Sequence, residues 1–509
     1  MKGNHLFDSL CRRCNAGGQL FAQMPDGRSY GYGDVEAETA RLAQALVDRG
    51  VEPGDRVLVQ VEKSIESILV YLATVRCGGV FVPLNPAYTA AEIAYFVADA
   101  DPALIVCDNA RRDDFLRLAS PGTPIETLDR AGSGSLIDLA AGKADNFNSV
   151  PRGADDIAAL LYTSGTTGRS KGAMLSHCNL LSNAEVLSSL WRFTVEDRLI
   201  HALPVFHTHG LFVATNVTLL AGAFMYFLPR FSEEDVLRLL PQATAMMGVP
   251  TFYTRLLDCA GLDREAARNI RLFVSGSAPL MSETHKAWLA RTGKPILERY
   301  GMTETNMITS NPYEGERRPG SVGMPLPGVA VRVVDPATGA PLPSGEVGEI
   351  EVRGPNVFSG YWKNAEKTKE SFTSDGFFKT GDMGRFAADG YLSIVGRSKD
   401  LIISGGFNVY PREVEAEIEA IPGIIEAAVI GLPHPDFGEG VTALVVAHQD
   451  APRDEANLIS SIGTRLASYK RPKRIIFTDD LPRNAMGKVE KAKLRETYKT
   501  LFTERRTET

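Results

Sequence analysis

Residues 157–172 read IAALLYTSGTTGRSKG, an apolar run followed by a loop of small and hydroxyl side chains that ends at Lys171 and Gly172. The apolar run is typical of a buried strand. In the loop, small residues let backbone N–H groups approach an anion closely, hydroxyls add donors, and Lys171 supplies a mobile positive charge. The segment therefore predicts a phosphate-binding loop after a strand, and the alternative is an ordinary polar turn.

The spacing of this loop differs from that of a Walker A motif. Counted from Gly165, the pattern G-x-x-x-x-G-K-[ST] needs glycine at position 170 and a hydroxyl residue at position 172. The chain has Ser170 and Gly172 instead. The loop thus belongs to another class of phosphate site.

The chain before this loop alternates between helical and strand patterns. Residues 34–49 carry apolar side chains on one helical face, and Gly50 follows at the C′ position. The next five segments are predicted as strand, helix, strand, helix and strand: 56–61, 64–77, 80–84, 89–100 and 103–107. Short strands alternating with helices predict βαβ units around a parallel sheet. Residues 120–155, rich in Gly, Ser, Asp and Pro, are predicted to be surface connection.

A composition change over residues 384–406, where charge and glycine alternate, separates a smaller C-terminal part. In that part we predict strands at 424–431, 441–447 and 474–477 and a helix at 455–466. The expected fold is α/β, with a large N-terminal domain of βαβ-type sheets over residues 1–398 and a smaller α+β domain over residues 399–509.

Composition excludes several classes. With 509 residues, 55 Lys and Arg against 62 Asp and Glu, and a formal charge of −7, neither a disulfide-stapled miniprotein nor a dedicated nucleic-acid binder is favoured. No secretory signal opens the sequence, and the six scattered cysteines favour reduced thiols, so we expect a cytoplasmic protein. The uncharged residues 210–229 are long enough for a membrane span, but they are predicted to be a buried helix followed by a buried strand.

Further short segments occur in the order found in one known family. They are residues 276–279 (GSAP), 298–304 (ERYGMTE), 380–382 (TGD), 396–397 (GR) and 482–488 (PRNAMGK). Together with the loop, they resemble the signatures of the AMP-forming acyl-CoA synthetase superfamily, over about residues 7–494. One departure is Ser170, where proline is usual; that position supplies backbone geometry, and the loop still ends in Lys171.

The resemblance implies a two-step reaction. A carboxylate attacks ATP, giving an acyl-adenylate and pyrophosphate, and the thiol of coenzyme A then displaces AMP. Nucleotidyl transfer depends on positioning and on neutralising charge, which requires a lysine, a metal held by a carboxylate and a donor-rich loop. By resemblance, Lys488 and Lys171 are catalytic, Glu304 is catalytic and binds Mg²⁺, and Lys399 is the hinge about which the C-terminal domain rotates.

The remaining candidate residues are also taken from the resemblance. Those implied for the pantetheine arm of coenzyme A are Ser404, Gly405 and Gly406. Those implied for ATP, besides Lys171 and Lys488, are Thr163, Ser164, Gly165, Thr166, Thr167, Gly168, Ser277, Ala278, Tyr300, Gly301, Met302, Thr303, Asp382 and Arg397. Asp382, which has only acceptor oxygens, suits the ribose hydroxyls.

The acyl-side segments, residues 203–210 (LPVFHTHG) and 249–255 (VPTFYTR), are too polar for a pocket that binds a fatty or aromatic acid. The candidate substrate-binding residues are His207, Thr208, His209, Arg255, Arg299 and Met307. Because guanidinium binds carboxylate in a bidentate fork, the two arginines imply a second carboxylate on the substrate. The alternative for Arg255 is a helix cap or an ion pair.

With residues 305–307 (TNM) and 310–313 (SNPY), these segments resemble malonyl-CoA synthetases. The resemblance implies malonate as the substrate, or methylmalonate, with Met307 and Thr208 limiting what fits at C2. Two other functions stay open: another short-chain or dicarboxylate acyl-CoA synthetase, and a binding protein that has kept the fold without catalysis. The joint presence of Lys171, Glu304, Asp382 and Lys488 disfavours the second.

The expected partners are therefore malonate, ATP and coenzyme A, with no nucleic acid and no membrane span. A lysine acetyltransferase acting on Lys488 is a further candidate partner, because acetylation would remove the charge that the reaction uses.

Overall fold

The computed structural model describes residues 3–14, 18–163, 170–405, 407–463, 465–484 and 487–502. Within these residues the strands form sheets of nine, seven, four and five strands. The first three are built from residues before 398, and the last from residues after 401. The mixed α/β class predicted from the sequence is confirmed.

The seven-stranded sheet carries the predicted phosphate loop. In sheet order its strands are Gly360–Tyr361, Lys171–Ser176, Ile157–Thr163, Val80–Pro83, Arg56–Gln60, Leu104–Cys107 and Ile125–Thr127. The five from Ile157–Thr163 onward run parallel, and the first two are antiparallel additions at the edge. Their short apolar and β-branched runs suit a sheet that is covered on both faces. The predicted βαβ units are thus present.

The nine-stranded sheet lies beside it. In sheet order its strands are Met324–Pro325, Asn306–Ser310, Ile296–Met302, Leu272–Ser275, Ala245–Gly248, Arg198–His201, Phe224–Phe227, Leu20–Gln23 and Ser29–Gly31. The central six are parallel. Parallel strands present their carboxyl ends at one edge of a sheet, where ligands of α/β proteins bind. His201, Ser275 and Met302 end three of these strands, and the predicted acyl and adenine segments follow them.

Two antiparallel sheets complete the chain. The four-stranded sheet, in order, contains Ala330–Val334, Gly348–Arg353, Phe378–Phe386 and Leu392–Arg397. In the C-terminal sheet, Phe407–Val409, Ile402–Ser404, Gly438–Ala447 and Ile424–His434 lie in that order, and Arg474–Phe477 pairs with Gly438–Ala447 in parallel. Two hydrophobic clusters drawn only from residues 402–502 pack on this sheet. The domain boundary at Lys399 stays a prediction.

Helices connect and cover the strands. The α-helices of the described residues are Phe7–Leu10, Tyr32–Asp48, Ile65–Arg76, Ala90–Ala100, Arg112–Leu118, Ser135–Ala141, His177–Leu190, Thr215–Ala221, Glu233–Leu239, Pro250–Leu257, Ser282–Thr292, Ala365–Ser371, Pro411–Glu419, Glu455–Gly463 and Lys491–Tyr498. The shorter 3₁₀ segments are Asn109–Arg111, Leu240–Gln242, Ser398–Asp400 and Ser468–Lys470, and His209–Ala214 forms a π-helix. Gly50, with φ of +85°, follows Tyr32–Asp48 as predicted.

Two segments test the sequence predictions directly. Residues 210–229 contain the end of the π-helix, the helix Thr215–Ala221 and the strand Phe224–Phe227, so the helix-then-strand prediction is confirmed. Among the described residues, no helix is long and apolar enough to cross a membrane. Residues 120–155 are not only connection, because Ile125–Thr127 adds an edge strand and Ser135–Ala141 forms a helix. Three residues are too few to show the hydrophobic alternation of a strand, so the sequence pattern did not predict this strand.

Candidate active site

The segment predicted as a phosphate loop lies between Thr163 and Lys171, which pair with each other in the hairpin of Ile157–Thr163 and Lys171–Ser176. Ser164, Gly165, Thr166, Thr167 and Gly168 lie outside the described residues. At the far end of the loop, the carbonyl of Ser170 accepts a hydrogen bond of 2.6 Å from the hydroxyl of Tyr95. The Lys171 ammonium lies 5.3 Å from the ring centre of Tyr361. The hairpin therefore holds Lys171 beside Thr163, at the carboxyl end of the strand Ile157–Thr163.

Glu304 lies in the turn between the antiparallel strands Ile296–Met302 and Asn306–Ser310, where Met302 and Thr303 precede it. It is 6% exposed and accepts a hydrogen bond of 3.0 Å from the hydroxyl of Tyr361. Burial raises the pKa of its carboxyl group, while Arg397 and Lys171 act in the opposite direction. Gly301 is required before this turn, because an added Cβ would lie 1.9 Å from the carbonyl oxygen of Asn306.

The environment of Glu304 fits Mg²⁺. Among the described residues, no group of three or more His, Cys, Asp or Glu side chains could hold a metal ion. Mg²⁺ is commonly held by one or two carboxylates together with substrate phosphates and water, so a single buried carboxylate within electrostatic reach of Lys171 is a suitable donor.

The structure brings together three of the residues implied for ATP, namely Tyr300, Asp382 and Arg397. The Tyr300 hydroxyl donates to Asp382 Oδ2 at 2.5 Å, and Arg397 Nε lies 3.1 Å from Asp382 Oδ1. Asp382 and Arg397 are paired residues of neighbouring strands in the four-stranded sheet. Burial and the Asp382 carboxylate raise the pKa of Tyr300, so its hydroxyl remains a donor. The cluster joins the nine-stranded and four-stranded sheets.

Ser277 and Ala278 form the turn after the strand Leu272–Ser275. Ser277 has φ of +72°, a left-handed conformation that is uncommon for a residue with a side chain. Its hydroxyl lies 3.3 Å from His209 Nδ1. The turn thus connects the predicted adenine segment with the predicted acyl segment.

The acyl segment presents polar atoms without protein partners. Thr208 Oγ1 and His209 Nε2 are buried and make no hydrogen bond with any described residue. Burial, followed by the positive charges of Lys488 and Arg299, lowers the pKa of His207 to about 3. The pKa of His209 is lowered for similar reasons, with burial as the largest cause. Both imidazoles are therefore neutral at pH 7 and can donate or accept hydrogen bonds.

Arg299 is a buried cation with unused donors. It is 3% exposed, and its Nε and Nη2 atoms make no hydrogen bond with any described residue. Its guanidinium packs on Gly276, where an added Cβ would lie 2.3 Å from Cζ. Burial lowers the pKa of Arg299 to about 9. An unpaired buried guanidinium is costly, and an anionic ligand would compensate for that cost.

The structure does not bring Arg255 into this group. Its side chain is 57% exposed, and Nη2 lies 2.5 Å from Glu233 Oε1. Its guanidinium also lies 5.1 Å from the ring centre of Phe231. Of the two interpretations of this arginine, the ion pair is the one that the structure shows. Met307 is buried, and its backbone N–H and carbonyl both bond to the side chain of Asn183.

Lys488 reaches the site from the C-terminal part. Its backbone N–H donates to Asn484 Oδ1 at 3.1 Å, in a turn that contains Gly487 with φ of +73°. The residue is accessible to solvent, but the surrounding protein desolvates its ammonium. Desolvation and Arg397 lower the pKa of Lys488 to about 8, against the opposing effect of Asp382 and Glu304. This lysine therefore lies within electrostatic reach of both predicted ATP-site carboxylates.

The other C-terminal candidates lie on neighbouring elements. Lys399 is in the 3₁₀ segment Ser398–Asp400, and burial lowers its pKa. Ser404 ends the strand Ile402–Ser404, and Gly405, with φ of +60°, begins the turn that follows. Gly406 lies outside the described residues. The roles of these four residues stay predictions.

Three residues near the site were missed in the sequence. Tyr361 holds Glu304, while Lys63 and His201 contact each other behind the acyl segment. No local pattern marks Tyr361, because its partner is 57 positions away in sequence. Lys63 did carry a signal, since it is a charge two positions after residues 57–61 (VLVQV), which read as a strand.

Two family models match the chain. Residues 12–362 match the AMP-binding enzyme model, and residues 413–488 match the AMP-binding enzyme C-terminal domain. The chain belongs to the AMP-binding enzyme family. This AMP-binding enzyme is an AMP-forming acyl-CoA ligase.

Its relatives act on different acids. The chain is 35% identical to a malonate–CoA ligase of Arabidopsis thaliana over 92% of this chain and 85% of that protein. It is also 35% identical to a feruloyl-CoA synthase of Amycolatopsis sp over 96% and 98%. The crystal structure of ATP-bound MatB from Rhodopseudomonas palustris is 56% identical, with a TM-score of 0.97, over 98% of this chain and 100% of that one.

Proposed function

We propose that this AMP-binding enzyme converts malonate, ATP and coenzyme A into malonyl-CoA, AMP and pyrophosphate through malonyl-adenylate. The observation that carries the proposal is the buried Arg299 guanidinium, whose Nε and Nη2 have no partner among the described residues. A malonate–CoA ligase among the relatives agrees with it. Equal identity to a feruloyl-CoA synthase shows that overall identity alone does not select the acid.

Arg299 would bind the carboxylate of malonate that does not react. Guanidinium and carboxylate match in a bidentate fork, and the interaction strengthens where water is excluded. His207, Thr208 and His209 add neutral donors and acceptors around the acid. Acetate has no second carboxylate and would leave Arg299 buried without a counter-charge. Methylmalonate differs only at C2, where we propose that Thr208 and Met307 limit the substituent.

In the first step, an oxygen of the other carboxylate attacks the α-phosphorus of ATP. A new P–O bond forms as the bond to the bridging oxygen of pyrophosphate breaks, and the electron pair leaves with pyrophosphate. Lys488 and Lys171 would stabilise negative charge on the phosphoryl oxygens, and Asp382 would hold the ribose hydroxyls. Glu304 would hold Mg²⁺ together with the phosphates, and the ion would supply further charge neutralisation. Tyr361 keeps the Glu304 carboxylate in place.

In the second step, the sulfur of coenzyme A attacks the acyl carbon of malonyl-adenylate. The C–S bond forms, the bond from carbon to the AMP oxygen breaks, and the thiol proton is released. We place the pantetheine arm along Ser404, Gly405 and Gly406, and we place the hinge at Lys399, between the bodies 1–398 and 399–509. Gly405 supports this assignment, because its φ of +60° makes a tight backbone turn without a side chain.

The test measures AMP formation with malonate, acetate, propionate and succinate on the wild type, Arg299→Met and Arg255→Ala. We expect the wild type to prefer malonate by at least about tenfold. Arg299→Met should lose about 2 to 5 kcal/mol of malonate binding, which is on the order of 30-fold or more. Arg255→Ala is the matched control, and it should keep the preference. A wild type that prefers acetate, propionate or succinate would refute malonate as the substrate.

Two smaller proposals accompany this function. The six cysteines are all free in the structure, which supports a reducing compartment such as the cytoplasm. Lys488 is accessible to solvent, which supports regulation by a lysine acetyltransferase. Antibody detection of acetyl-lysine in the purified protein, compared with Lys488→Arg, tests the second.

A further inference from the structure

Lys63 is a buried basic residue that the proposed reaction does not use, and burial lowers its pKa well below the usual value. It follows the strand Arg56–Gln60 of the seven-stranded sheet and is 8% exposed. Its ammonium lies 4.3 Å from the ring centre of Phe227. Lysine is rarely buried without an acidic partner, and none of the described carboxylates forms an ion pair with it within 4 Å. Its position therefore calls for an explanation.

The partner of Lys63 is His201, which ends the strand Arg198–His201 of the nine-stranded sheet and is fully buried. Lys63 Nζ lies 3.1 Å from His201 Nδ1 and donates to the His201 carbonyl at 2.9 Å. The contact therefore joins the two large sheets of the N-terminal part. It also fixes the point at which the chain leaves the strand toward the acyl segment.

The other ring nitrogen of His201 contacts the acyl segment. His201 Nε2 lies 3.0 Å from the carbonyl oxygen of Gly210. A carbonyl only accepts hydrogen bonds, so Nε2 carries the proton and Nδ1 is free to accept from Lys63. Thr215 Oγ1 donates to the same Gly210 carbonyl at 2.9 Å. A continuous chain of hydrogen bonds thus runs from Lys63 through His201 to the backbone of Gly210.

A displacement of the Gly210 backbone would move the acyl segment, residues 203–210. An added Cβ there would lie 2.0 Å from the carbonyl oxygen of Pro204, so the segment folds back tightly on itself. His207, Thr208 and His209 lie between these two residues. Lys63 lines a cavity of about 320 Å³ that Val205 and Phe206 of the acyl segment and Gly487 also line. Packing also holds the segment, since Leu203, Val205 and Leu211 are buried, and the hydrogen bonds hold its backbone at Gly210.

We propose that Lys63 and His201 are positioning residues that set the acyl segment at the distance from Arg299 that a three-carbon dicarboxylate needs. The inference rests on the proposed function, since it concerns how the same acid is held. Loss of the Lys63 contact would release His201 and the Gly210 carbonyl. The polar atoms of Thr208 and His209 would then move relative to Arg299, while the ATP residues on other strands stay in place.

The experiment compares Lys63→Met with the wild type in KM for malonate, KM for ATP, kcat and thermal unfolding. Methionine keeps a long apolar chain and removes the donors. We expect KM for malonate to rise at least about tenfold, with KM for ATP within about twofold. We also expect the preference for malonate over methylmalonate to fall. Lys63→Arg, which restores donors, should recover part of the loss.

Arg76→Met is the matched control, because Arg76 is also a buried basic residue beside the same sheet but bonds to Glu36, Thr39 and Phe147. It should lower thermal stability and leave KM for malonate unchanged. If Lys63→Met does not fold, His201→Gln replaces it, since glutamine can keep the donor to Gly210 but lacks the ring acceptor. Equal changes in both KM values, or a fall in stability alone, would overturn the positioning role. A wild type without a malonate preference would instead refute the proposed function.

Discussion

The candidate site, here called the cleft, contains three cations whose surroundings differ from those of two arginines outside it. Among the described residues, no carboxylate lies within 4 Å of the charged nitrogens of Lys171, Arg299 or Lys488. Outside the cleft, Arg255 pairs with Glu233 and Arg271 pairs with Asp197. A cation without a protein carboxylate has donors available to an anionic substrate, whereas Arg255 and Arg271 contribute to the fold. Pairing therefore separates Arg299 from Arg255, although Arg397 of the candidate site is paired as well, with Asp382.

Removal of Lys488, the cleft cation that belongs to the C-terminal part, should have the largest effect on activity. We expect Lys488→Ala to lower the rate of adenylate formation by about 10² to 10³, the range found when one stabilising donor is removed. Thioester formation from supplied malonyl-adenylate should change by less than about threefold. The measurement is pyrophosphate release against thioester formation in single turnover. Equal loss of both steps would contradict the assigned role.

Removal of a paired cation should affect stability and spare activity. Asp197 is 3% exposed, and Arg271 Nε and Nη2 each donate to it at 2.7 Å. We expect Arg271→Met to lower the free energy of unfolding by about 2 to 3 kcal/mol, because a buried carboxylate loses its partner. Its kcat/KM for malonate should stay within about twofold. Urea unfolding measures the change in stability, and steady-state kinetics measure kcat/KM. A large fall in kcat/KM would show that a paired arginine outside the cleft also affects catalysis.

Displacement of Arg299 without its removal is a finer test. In Gly276→Ala the new methyl group would lie 2.3 Å from Arg299 Cζ, so the guanidinium has to move. We expect kcat/KM for malonate to fall about tenfold, or about 1.4 kcal/mol, with little change in KM for ATP. Gly261→Ala serves as the control, because its nearest neighbour would be 3.6 Å away. Full activity of Gly276→Ala would mean that the position of Arg299 does not matter.

The smallest expected effect comes from pH. The pKa of Lys488 is lowered to about 8, so its charge is present below pH 8 and is lost as pH rises through that value. Since kcat/KM reports the free enzyme, kcat/KM for ATP should fall about twofold between pH 7 and pH 8 and continue to fall above it. An active Lys488→Arg variant should lack this fall. A wild-type profile that is flat to pH 9 would show that this lysine keeps its charge in the cleft.

Much of the fold could be predicted because its signals are local. The strand predicted at 474–477 is Arg474–Phe477 in the structure, and the alternation of strands and helices in the first 110 residues predicted a parallel sheet that is present. The edge strand Ile125–Thr127 could not be predicted, since only its pairing with Leu104–Cys107 makes it a strand.

Only part of the candidate site could be predicted from local signals. Motifs gave residue types and order, but the side of a helix on which a residue lies depends on packing. Tyr253 and Leu256 are buried on the helix Pro250–Leu257, and Arg255 is two positions after Tyr253, about 200° around the axis. That spacing could have indicated an outward arginine. The contact of Lys63 with His201 could not have been predicted, because 138 positions separate them.

The arrangement of the two large sheets has a consequence for folding kinetics. Leu20–Gln23 pairs in parallel with Phe224–Phe227, so one edge of the nine-stranded sheet closes a loop of about 200 residues, and most of the seven-stranded sheet is built within that loop. Closing such a loop costs about 5 kcal/mol of chain entropy before the contacts compensate for it. Non-local parallel pairing of this kind is slow. The edge should therefore form late, and no continuous fragment shorter than about 200 residues can contain both of its strands.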